Sequence, residues 1–294
     1  MLPYLCLASA MMIVGAYVGF SKLLVAVFPV FLLAWLRFGI AAVAMATWLK
    51  RGANEPPLDR RTKNLLFLES FLGNFLFSIC MLFGMKNATA ISAGIIMAGI
   101  PAAVALLSRI FLREQMSVRM IVAIALAVAG VSALAFSRGE ASEPSTSALG
   151  TLLLIGAVFC EASYVVIGKR LTSNVSPKRI SAIINVWGLA LVTPLGIWAA
   201  LSFDFYAVSV GIWGGLVLYA LAASMWTVWL WMTGLKKVPA SKAGIFTVFL
   251  PITSALVGVF FLGENFTVVH AIAFAFALAG VVLATWPTSD TQER

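Results

Sequence analysis

This sequence of 294 residues is short of charge and has a single histidine. Charged residues make up 11% of the chain, whereas soluble domains average about 25%. The sequence also lacks HExxH, DxD and Walker A motifs, and one histidine (His270) cannot assemble a catalytic triad or a zinc site. These absences argue against a soluble fold, an enzyme and an ATP-driven pump. We therefore expect no catalytic residue, no cofactor and no bound metal.

Cysteine is equally scarce, since only Cys6, Cys80 and Cys160 occur. None of them has the spacing of a CxxC pair or of zinc ligands. Each falls inside an apolar segment, so we interpret them as packing residues. The first apolar stretch has no preceding lysine or arginine, which argues against a cleavable signal peptide.

Long apolar runs take the place of charge. Hydrophobic residues make up 62% of the chain, and its mean hydropathy is +1.03. Ten runs reach the length of about 17–25 residues that a membrane-spanning helix needs, and none alternates like a β-barrel strand. The predicted spans are 3–21, 30–49, 65–85, 90–110, 118–136, 149–168, 180–202, 209–235, 240–262 and 266–286. We predict an all-α integral membrane protein.

Lysine and arginine are distributed unequally among the predicted loops. With a cytoplasmic N-terminus, the inside loops and the C-terminal tail hold sixteen of these residues, and the outside loops hold three. This is the positive-inside pattern of membrane proteins. The net charge of +9 is therefore a topology signal. We predict that both termini are cytoplasmic and that the protein binds no nucleic acid.

A segment of the chain occurs twice, 150 residues apart. Residues 84–131 align with 234–281 without a gap, and about 19 of the 48 positions are identical, which indicates a duplication. The first helices of the two halves correspond at an offset of 147 residues, through pairs such as Tyr17/Tyr164. Duplicated membrane units are typical of secondary transporters, whose site lies where the halves meet.

The two copies are predicted to enter the membrane from opposite sides, because each contributes an odd number of helices. Arg113 and Arg119 of the first copy become Gly263 and Val269 in the second, where that loop is predicted to be outside. The predicted fold is ten transmembrane helices as a 5+5 inverted repeat around a central cavity. Its parts are a first five-helix repeat (1–136), an external linker (137–147), a second, inverted repeat (148–286) and a cytoplasmic tail (287–294).

The motifs of the repeat resemble those of a known family. GMKNATAISAG, a proline, FLRE and AGV in the first copy return as GLKKVPASKAG, a proline, FLGE and AGV in the second. With the triplet Leu36-Arg37-Phe38, they are similar to the paired domains of the drug/metabolite transporter superfamily, EamA type. The resemblance implies a carrier in a bacterial cytoplasmic membrane, with helices 1, 3, 4, 6, 8 and 9 around the cavity. It also implies export of amino acids, aromatic ones among them, and of related metabolites.

Pro101 and Pro251 are related by the repeat and lie near the middle of the fourth and ninth predicted spans. Each proline removes a backbone hydrogen bond, and each follows a glycine, Gly94 or Gly244, by seven residues. We predict that these four residues let both helices bend during gating. The alternative is that proline and glycine are simply frequent in membrane helices.

Polar and aromatic residues at membrane depth are the candidate substrate-binding residues. Asn74, Ser78 and Met81 share one face of the third span by their spacing, and Asn74 corresponds through the repeat to Ser224. The aromatic candidates are Tyr17, Tyr164, Trp226 and Trp229. The alternative for all of them is packing within the bundle or an interhelical hydrogen bond.

Three ionisable residues are predicted inside the membrane, where a charge costs about 2.5–3.5 kcal/mol at the bilayer centre. Glu161 is the deepest, and we predict that it meets a substrate amine or titrates in a coupling step. Glu69 lies closer to the inner end of the third span, from which it can reach the interface. We interpret Arg37 as a tie between helices, with substrate contact as the alternative, and the second copy has no equivalent arginine.

These residues favour a secondary transporter that exports neutral amino acids, aromatic ones first, by alternating access between the repeats. Nucleobases, nucleosides or small drugs are alternative substrates, and a non-transporting membrane protein is the alternative of another class. The expected partners are a small-molecule substrate and the lipid bilayer. Proton coupling, and the choice between a monomer and a homodimer, are left open.

Overall fold

The computed structural model describes most of the chain, and every regular element that it describes is a helix. Much of the fifth predicted span, most of the predicted linker, the predicted tail and Gly244 lie outside the described residues. The described residues are 2–52, 55–112, 146–173, 175–238, 246–247 and 249–285, with 118–119, 121–123, 125–126 and 129–130 between them.

The described helices agree with the prediction of an all-α membrane protein. Five of them are long and apolar enough to cross a membrane, and shorter apolar helices accompany them. The helices are α1 (Leu2–Val27), α2 (Val30–Ala44), α3 (Arg60–Lys86), α4 (Ala90–Met97), α5 (Ile100–Leu112), α6 (Ala148–Leu171), α7 (Pro177–Leu201), α8 (Val210–Lys237), α9 (Phe249–Leu262) and α10 (Val268–Thr285).

Side-chain caps fix where several of these helices begin. Asp59 accepts a hydrogen bond from the backbone N–H of Thr62 (2.9 Å) at the start of α3. Ser147 accepts one from Gly150 (2.9 Å) at the start of α6. Short polar side chains at this position satisfy N–H groups that have no partner within the helix. The sequence therefore defines both starts locally.

Contacts between helices recur in the two halves of the chain. A Cβ added to Gly84 of α3 would lie 2.9 Å from Cγ of Leu154 in α6, and one added to Gly234 of α8 would lie 2.6 Å from Cγ of Leu7 in α1. The two glycines are 150 residues apart and the two leucines 147 residues apart. In both places the missing side chain lets two helices pack closely. These contacts support the duplication.

Two lysines make a second recurring contact. The Lys22 ammonium group of α1 donates to the backbone oxygen of Ala88, just beyond the end of α3. The Lys169 ammonium group of α6 donates to the backbone oxygen of Leu235 in the last turn of α8 (2.9 Å). A cation is favourable at a helix C-terminus, where carbonyl groups lack intrahelical partners. Each lysine therefore ties the first helix of one half to the end of the third helix of the same half.

Helices α3 and α8 each contain one π-helical segment. These segments are Ser70–Leu76 and Leu221–Trp226, which the offset of 150 residues places at almost the same position of the repeat. A π segment has more residues per turn than an α-helix and is often found at functional sites. Side chains beyond it therefore point in directions that a period of 3.6 residues does not predict.

The fourth predicted span is two helices, because α4 ends at Met97 and α5 begins at Ile100. Pro101 follows this break. Its ring nitrogen has no hydrogen for the carbonyl oxygen of Met97, and its ring crowds the preceding turn. Pro101 therefore lies in the first turn of α5 and not in the middle of a helix. Pro251 likewise is the third residue of α9.

A carboxylate from the second half caps α4 in the first half. Glu264, in the loop before α10, accepts hydrogen bonds from the backbone N–H of Ala90 (2.7 Å) and of Ile91 (2.9 Å). The hydroxyl of Ser254 in α9 donates to the backbone oxygen of Ala90 (2.8 Å). Negative charge is stabilising at a helix N-terminus. These contacts fasten α4 to the α9–α10 region.

Candidate functional site

A cavity opens between α1, α2, α3, α6 and α8, with an empty volume of about 530 Å³. It brings together three predicted substrate-binding residues, Tyr17, Asn74 and Tyr164, and also Glu161. The lining residues are Met11, Val14, Tyr17, Arg37, Gly73, Asn74, Phe77, Glu161, Tyr164, Ala223, Thr227, Val228 and Trp231.

Much of this lining comes from positions that the repeat relates to each other. Equivalent positions of the two halves therefore face the same space. Only the two tyrosines are identical, so the cavity wall is chemically different on its two sides. The related pairs are Val14/Glu161, Tyr17/Tyr164, Gly73/Ala223 and Phe77/Thr227.

Arg37 brings a positive charge into the cavity. The side chain is only 4% exposed, and one of its terminal nitrogens donates to the hydroxyl of Ser78. Ser78 in turn donates to the backbone oxygen of Asn74. The guanidinium carbon lies 4.2 Å from the ring centroid of Phe38 and 5.5 Å from that of Tyr17. Arg37 thus ties α2 to α3, as predicted, and also faces the cavity.

The charge of Arg37 has no carboxylate beside it. Among the residues that the structure describes, Arg179–Glu55 is the one ion pair within 4.0 Å. Burying a cation without an anionic partner is unfavourable. Glu161 lines the same cavity from α6 but is not paired with Arg37. The site therefore offers one cation and one carboxyl group to a guest that carries both charges.

Aromatic rings form the apolar part of the wall. The ring of Tyr17 stacks on that of Tyr219 (centroids 5.0 Å apart) and lies 6.4 Å from that of Phe77. Trp231 is 3% exposed and also lines the cavity, as does Tyr164. Rings of this kind bind apolar or aromatic groups by offset or edge-on packing.

Buried polar atoms without a hydrogen-bond partner cluster around this cavity. Buried polar groups are nearly always hydrogen-bonded, so a cluster of exceptions indicates a place for a polar guest or for water. Most of these atoms are donors. Those on lining residues are Tyr17 Oη, Arg37 Nε, Asn74 Nδ2, Tyr164 Oη, Thr227 Oγ1 and Trp231 Nε1.

Five predicted substrate-binding residues do not line the cavity. Ser78 and Met81 are buried behind it in the helix contacts of α3. The backbone oxygen of Ser224 accepts a hydrogen bond from Asn185 of α7 (3.0 Å). Trp226 and Trp229 of α8 are also absent from the lining.

Trp226 is 38% exposed, and it is the last residue of the π segment of α8. The ring of Trp229 lies 6.1 Å from that of Trp48, with the ammonium group of Lys178 5.7 Å from its centroid. Both tryptophans therefore lie away from the cavity. Ala223, Thr227 and Trp231, spaced four residues apart, form the face of α8 that lines the cavity. The spacing of Trp226 and Trp229 does not show which face of the helix turns inward.

Sequence reasoning missed Trp231 and Thr227 as lining residues, and it favoured a tie between helices over substrate contact for Arg37. One available signal was the repeat itself. Adding 150 to Met81 gives Trp231, and adding 150 to Phe77 gives Thr227. No pattern in the sequence indicated that the guanidinium group of Arg37 faces the cavity, because its position depends on how α2 packs against α3.

Three of the predicted gating residues, Gly94, Pro101 and Pro251, lie outside this cavity, and Gly244 is outside the described residues. Gly94 of α4 packs against α9, since a Cβ there would lie 3.0 Å from that of Ser254 and 3.1 Å from the backbone oxygen of Pro251. Pro101 follows the break between α4 and α5. Among the described residues, no group of three or more His, Cys, Asp or Glu side chains is placed to hold a metal ion.

A family model described as the EamA-like transporter family matches residues 1–136 and 148–286. The chain belongs to this family. The prediction of the EamA type is therefore confirmed, and this EamA-like protein is a multi-pass membrane transporter.

Relatives of this EamA-like transporter carry transporter names without a substrate. It is 36% identical over 282 residues to the uncharacterized transporter YetK of Bacillus subtilis, covering 95% of this chain and 85% of that one. It is 25% identical over 300 residues to the uncharacterized transporter YyaM of the same organism, covering 99% and 97%. An uncharacterized transporter of Archaeoglobus fulgidus is 25% identical over 252 residues, covering 85% and 87%.

A solved crystal structure has the same fold. It superposes with a TM-score of 0.64 over 96% of both chains, at 19% sequence identity. At this sequence identity the similarity shows the fold and not the substrate.

Proposed function

We propose that this EamA-like transporter exports neutral amino acids, aromatic ones among them, across a bacterial cytoplasmic membrane. The observation that carries the proposal is the presence of Arg37 and Glu161 in one cavity without an ion pair between them. A zwitterion satisfies both groups, because the substrate carboxylate pairs with the guanidinium group of Arg37 and the substrate ammonium group pairs with the carboxylate of Glu161. Charge-assisted hydrogen bonds of this kind are among the strongest in proteins.

The rest of the wall suits the neutral remainder of an amino acid. Tyr17, Phe77, Tyr164 and Trp231 supply rings for an apolar or aromatic side chain. The free amide N–H groups of Asn74 add donors for the substrate carboxylate. A sugar phosphate would instead need several cations, and among the described residues Arg37 is the one lysine or arginine that lines this cavity.

Alternating access is the mechanism that the repeat favours. We propose ten membrane helices in two inverted five-helix repeats, with 137–147 outside and both termini in the cytoplasm. The recurring contacts at Gly84 and Gly234, and at Lys22 and Lys169, support two equivalent units. Paired units around a midplane site move against each other in such carriers. Introduced cysteines at 52 and 290 should react from the cytoplasm, and one at 142 from outside.

The break before Pro101 gives the moving parts a place to bend. We propose that Gly94, Pro101, Gly244 and Pro251 permit this movement, since the two prolines are related by the repeat and interrupt or begin helices that pack together. Pro101→Ala and Pro251→Ala should slow exchange and leave substrate binding intact. Unchanged exchange in both variants would make the prolines static features.

The substrate proposal is tested with three related compounds in proteoliposomes. Counterflow of labelled phenylalanine should be inhibited by phenylalanine, but not by phenethylamine or 3-phenylpropionate, because each of these lacks one charge. Arg37→Gln should abolish the discrimination against the amine, and Glu161→Gln the discrimination against the acid. Adenosine and uracil serve as controls of another class.

Two results would overturn the proposal. Counterflow of nucleosides without counterflow of any amino acid would assign the cavity to nucleobase compounds. Counterflow of no compound at all, from a protein that is folded and reconstituted, would indicate that this cavity does not serve transport.

A further inference from the structure

Glu69 is the most deeply buried ionisable group outside the cavity lining. Its side chain has no exposed surface, and neither of its carboxyl oxygens has a hydrogen-bond partner. It ends the first α-helical part of α3, directly before the π segment Ser70–Leu76. The sequence suggested that Glu69 reaches the membrane interface. The structure instead encloses it within the bundle.

Helices α6 and α7 pack against this part of α3. On α6, Oε1 of Glu69 lies 2.9 Å from the position that a Cβ on Gly168 would occupy. Tyr164 and Glu161 lie on the same face of α6 as Gly168, four and seven residues before it. Both belong to the cavity wall, and the hydroxyl of Tyr164 has no partner either. The face of α6 at positions 161, 164 and 168 therefore runs from the cavity to Glu69.

The cations of the packing helices are engaged elsewhere. Lys169 of α6 donates to the backbone oxygen of Leu235, and Arg170 is exposed. Arg179 of α7 pairs with Glu55 (2.9 Å), and Lys178 lies over the rings of Trp48 and Trp229. No described cation lies within 4.0 Å of Glu69.

An ionised carboxylate in such a place has neither water, nor a donor, nor a counter-ion, whereas the protonated form is neutral. We propose that Glu69 carries a proton in this conformation and is the proton-binding group of an exchange of protons for amino acids. This inference rests on the function proposed above. It makes Glu161 the substrate contact and Glu69 the proton carrier.

The two carboxyl groups couple proton and substrate through their charges. The anionic form of Glu161 disfavours ionisation of Glu69, because like charges repel in a site of low dielectric constant. An ammonium group beside Glu161 cancels this repulsion, so Glu69 releases its proton to water on the side from which the substrate enters. After the substrate leaves on the other side, the repulsion returns and Glu69 takes up a proton there. One proton therefore moves inward for each amino acid that moves outward.

The equivalent position in the second half does not share this feature. Adding 150 to Glu69 gives Tyr219, whose hydroxyl is hydrogen-bonded to that of Ser21 (2.8 Å). Tyr219 is neutral and has a partner. It is therefore a matched control, since it has the same place in the repeat without the proposed proton.

The test separates proton coupling from substrate movement. Vesicles with an acidic lumen, clamped by potassium and valinomycin, should accumulate labelled phenylalanine up to about tenfold for one pH unit and one proton. In Glu69→Gln the accumulation should fall to equilibration, while counterflow without a gradient persists. Tyr219→Phe should accumulate phenylalanine as the wild type does.

Infrared spectroscopy tests the proton itself without any transport. The wild type at neutral pH should show a protonated-carboxyl C=O band that Glu69→Gln removes and Glu161→Gln retains. Both the wild type and Glu161→Gln retain Glu69, so a band present in both proteins supports the assignment even if Glu69→Gln does not fold.

Gradient-driven accumulation by Glu69→Gln at the wild-type level, or a wild type without the carboxyl band, would overturn the proton-carrier assignment. A wild type that shows counterflow but no response to the pH gradient would overturn coupling and leave amino-acid transport standing. Absence of counterflow would instead overturn the transport proposal, and the coupling with it.

Discussion

The first and second halves of the chain differ most where they face the cavity and least where they hold helices together. Gly84 and Gly234 make equivalent close contacts. In the cavity, by contrast, Val14 is matched by Glu161. Helix packing requires small residues at fixed positions whatever the substrate, whereas a zwitterion has two different ends. A symmetric scaffold with an unsymmetric lining satisfies both requirements.

The largest expected effect on substrate affinity is that of replacing Arg37, which has a charge in the cavity that its counterpart contact in the second half lacks. Asn185 of α7 bonds to the backbone of α8 much as Arg37 bonds to α3, but it brings no charge to the cavity. Arg37→Gln should weaken substrate binding by about 1.5–3 kcal/mol, or about 10- to 150-fold, because a charged hydrogen bond is lost. Binding is measured by isothermal titration in detergent with phenylalanine.

Asn185→Ala is the matched control for Arg37. It should lower the stability of the bundle by about 1 kcal/mol, the value of an interhelical hydrogen bond, and leave phenylalanine affinity unchanged. Equal losses of affinity in the two variants would mean that the asymmetry of charge does not determine binding.

The close contacts at Gly84 and Gly234 test the symmetric side of the comparison. Gly84→Ala and Gly234→Ala should each destabilise the protein by about 1–3 kcal/mol, because a methyl group overpacks the contact. The measurement is thermal unfolding in detergent. Gly215→Ala in α8, where no atom lies within 4 Å of the added methyl, should not destabilise it. A loss at only one of the two sites would break the equivalence of the halves.

Trp231 and Trp226 allow a lining tryptophan and a non-lining tryptophan of α8 to be compared. Trp231→Ala should reduce affinity for phenylalanine relative to alanine by about 0.5–1.5 kcal/mol, since an aromatic contact is lost. Trp226→Ala should leave this ratio unchanged, because Trp226 is outside the cavity. The ratio is measured by competition in counterflow. If Trp226→Ala shifts it and Trp231→Ala does not, the cavity described here is not the substrate site.

The smallest expected effect concerns Glu55, which joins the loop after α2 to the start of α7. Burial alone would raise the pKa of Glu55, but hydrogen bonds from Ser176 and Arg179 outweigh this and lower the pKa. A lowered pKa stabilises the fold above the unfolded-state pKa of a glutamate, and this stabilisation is lost as the pH falls through the folded-state value. We expect about 1 kcal/mol or less.

Glu55→Gln should remove this acid-side loss of stability. Thermal unfolding between pH 3 and pH 7, compared with the wild type, measures it. Identical pH profiles in the two proteins would show that the contacts of Glu55 with Ser176 and Arg179 contribute nothing to stability.

The prediction from sequence was most successful for the membrane helices. Apolar runs fixed their approximate bounds, because every backbone polar group in lipid must be satisfied within its own helix. The fourth span is divided into α4 and α5 before Pro101, and α9 begins at Phe249, nine residues after the start predicted for the ninth span. Much of the fifth span lies outside the described residues. The repeat and its motifs also predicted the family. Nothing in the described residues or the relatives tests the substrate, so amino-acid export stays a prediction.

The sequence predicted part of the lining of the cavity, while the substrate-binding role of these residues stays a prediction. Tyr17, Asn74 and Tyr164 do line one cavity, and the repeat relates two of them. Trp226 does not line it, because Ala223, Thr227 and Trp231 form the face of α8 that does. The period of a helix shows which residues share a face, but a single sequence does not show which face turns toward the cavity.

The sequence by itself determined the membrane setting, the duplication and the family, because hydrophobicity and repeated motifs are properties of the chain read in order. The tertiary structure decided which polar groups meet. Arg37 faces the same cavity as Glu161, although 124 positions separate them in the chain, and Glu69 is enclosed without a partner. Charges interact through space over a few ångströms, so their roles depend on how the helices pack and not on their order.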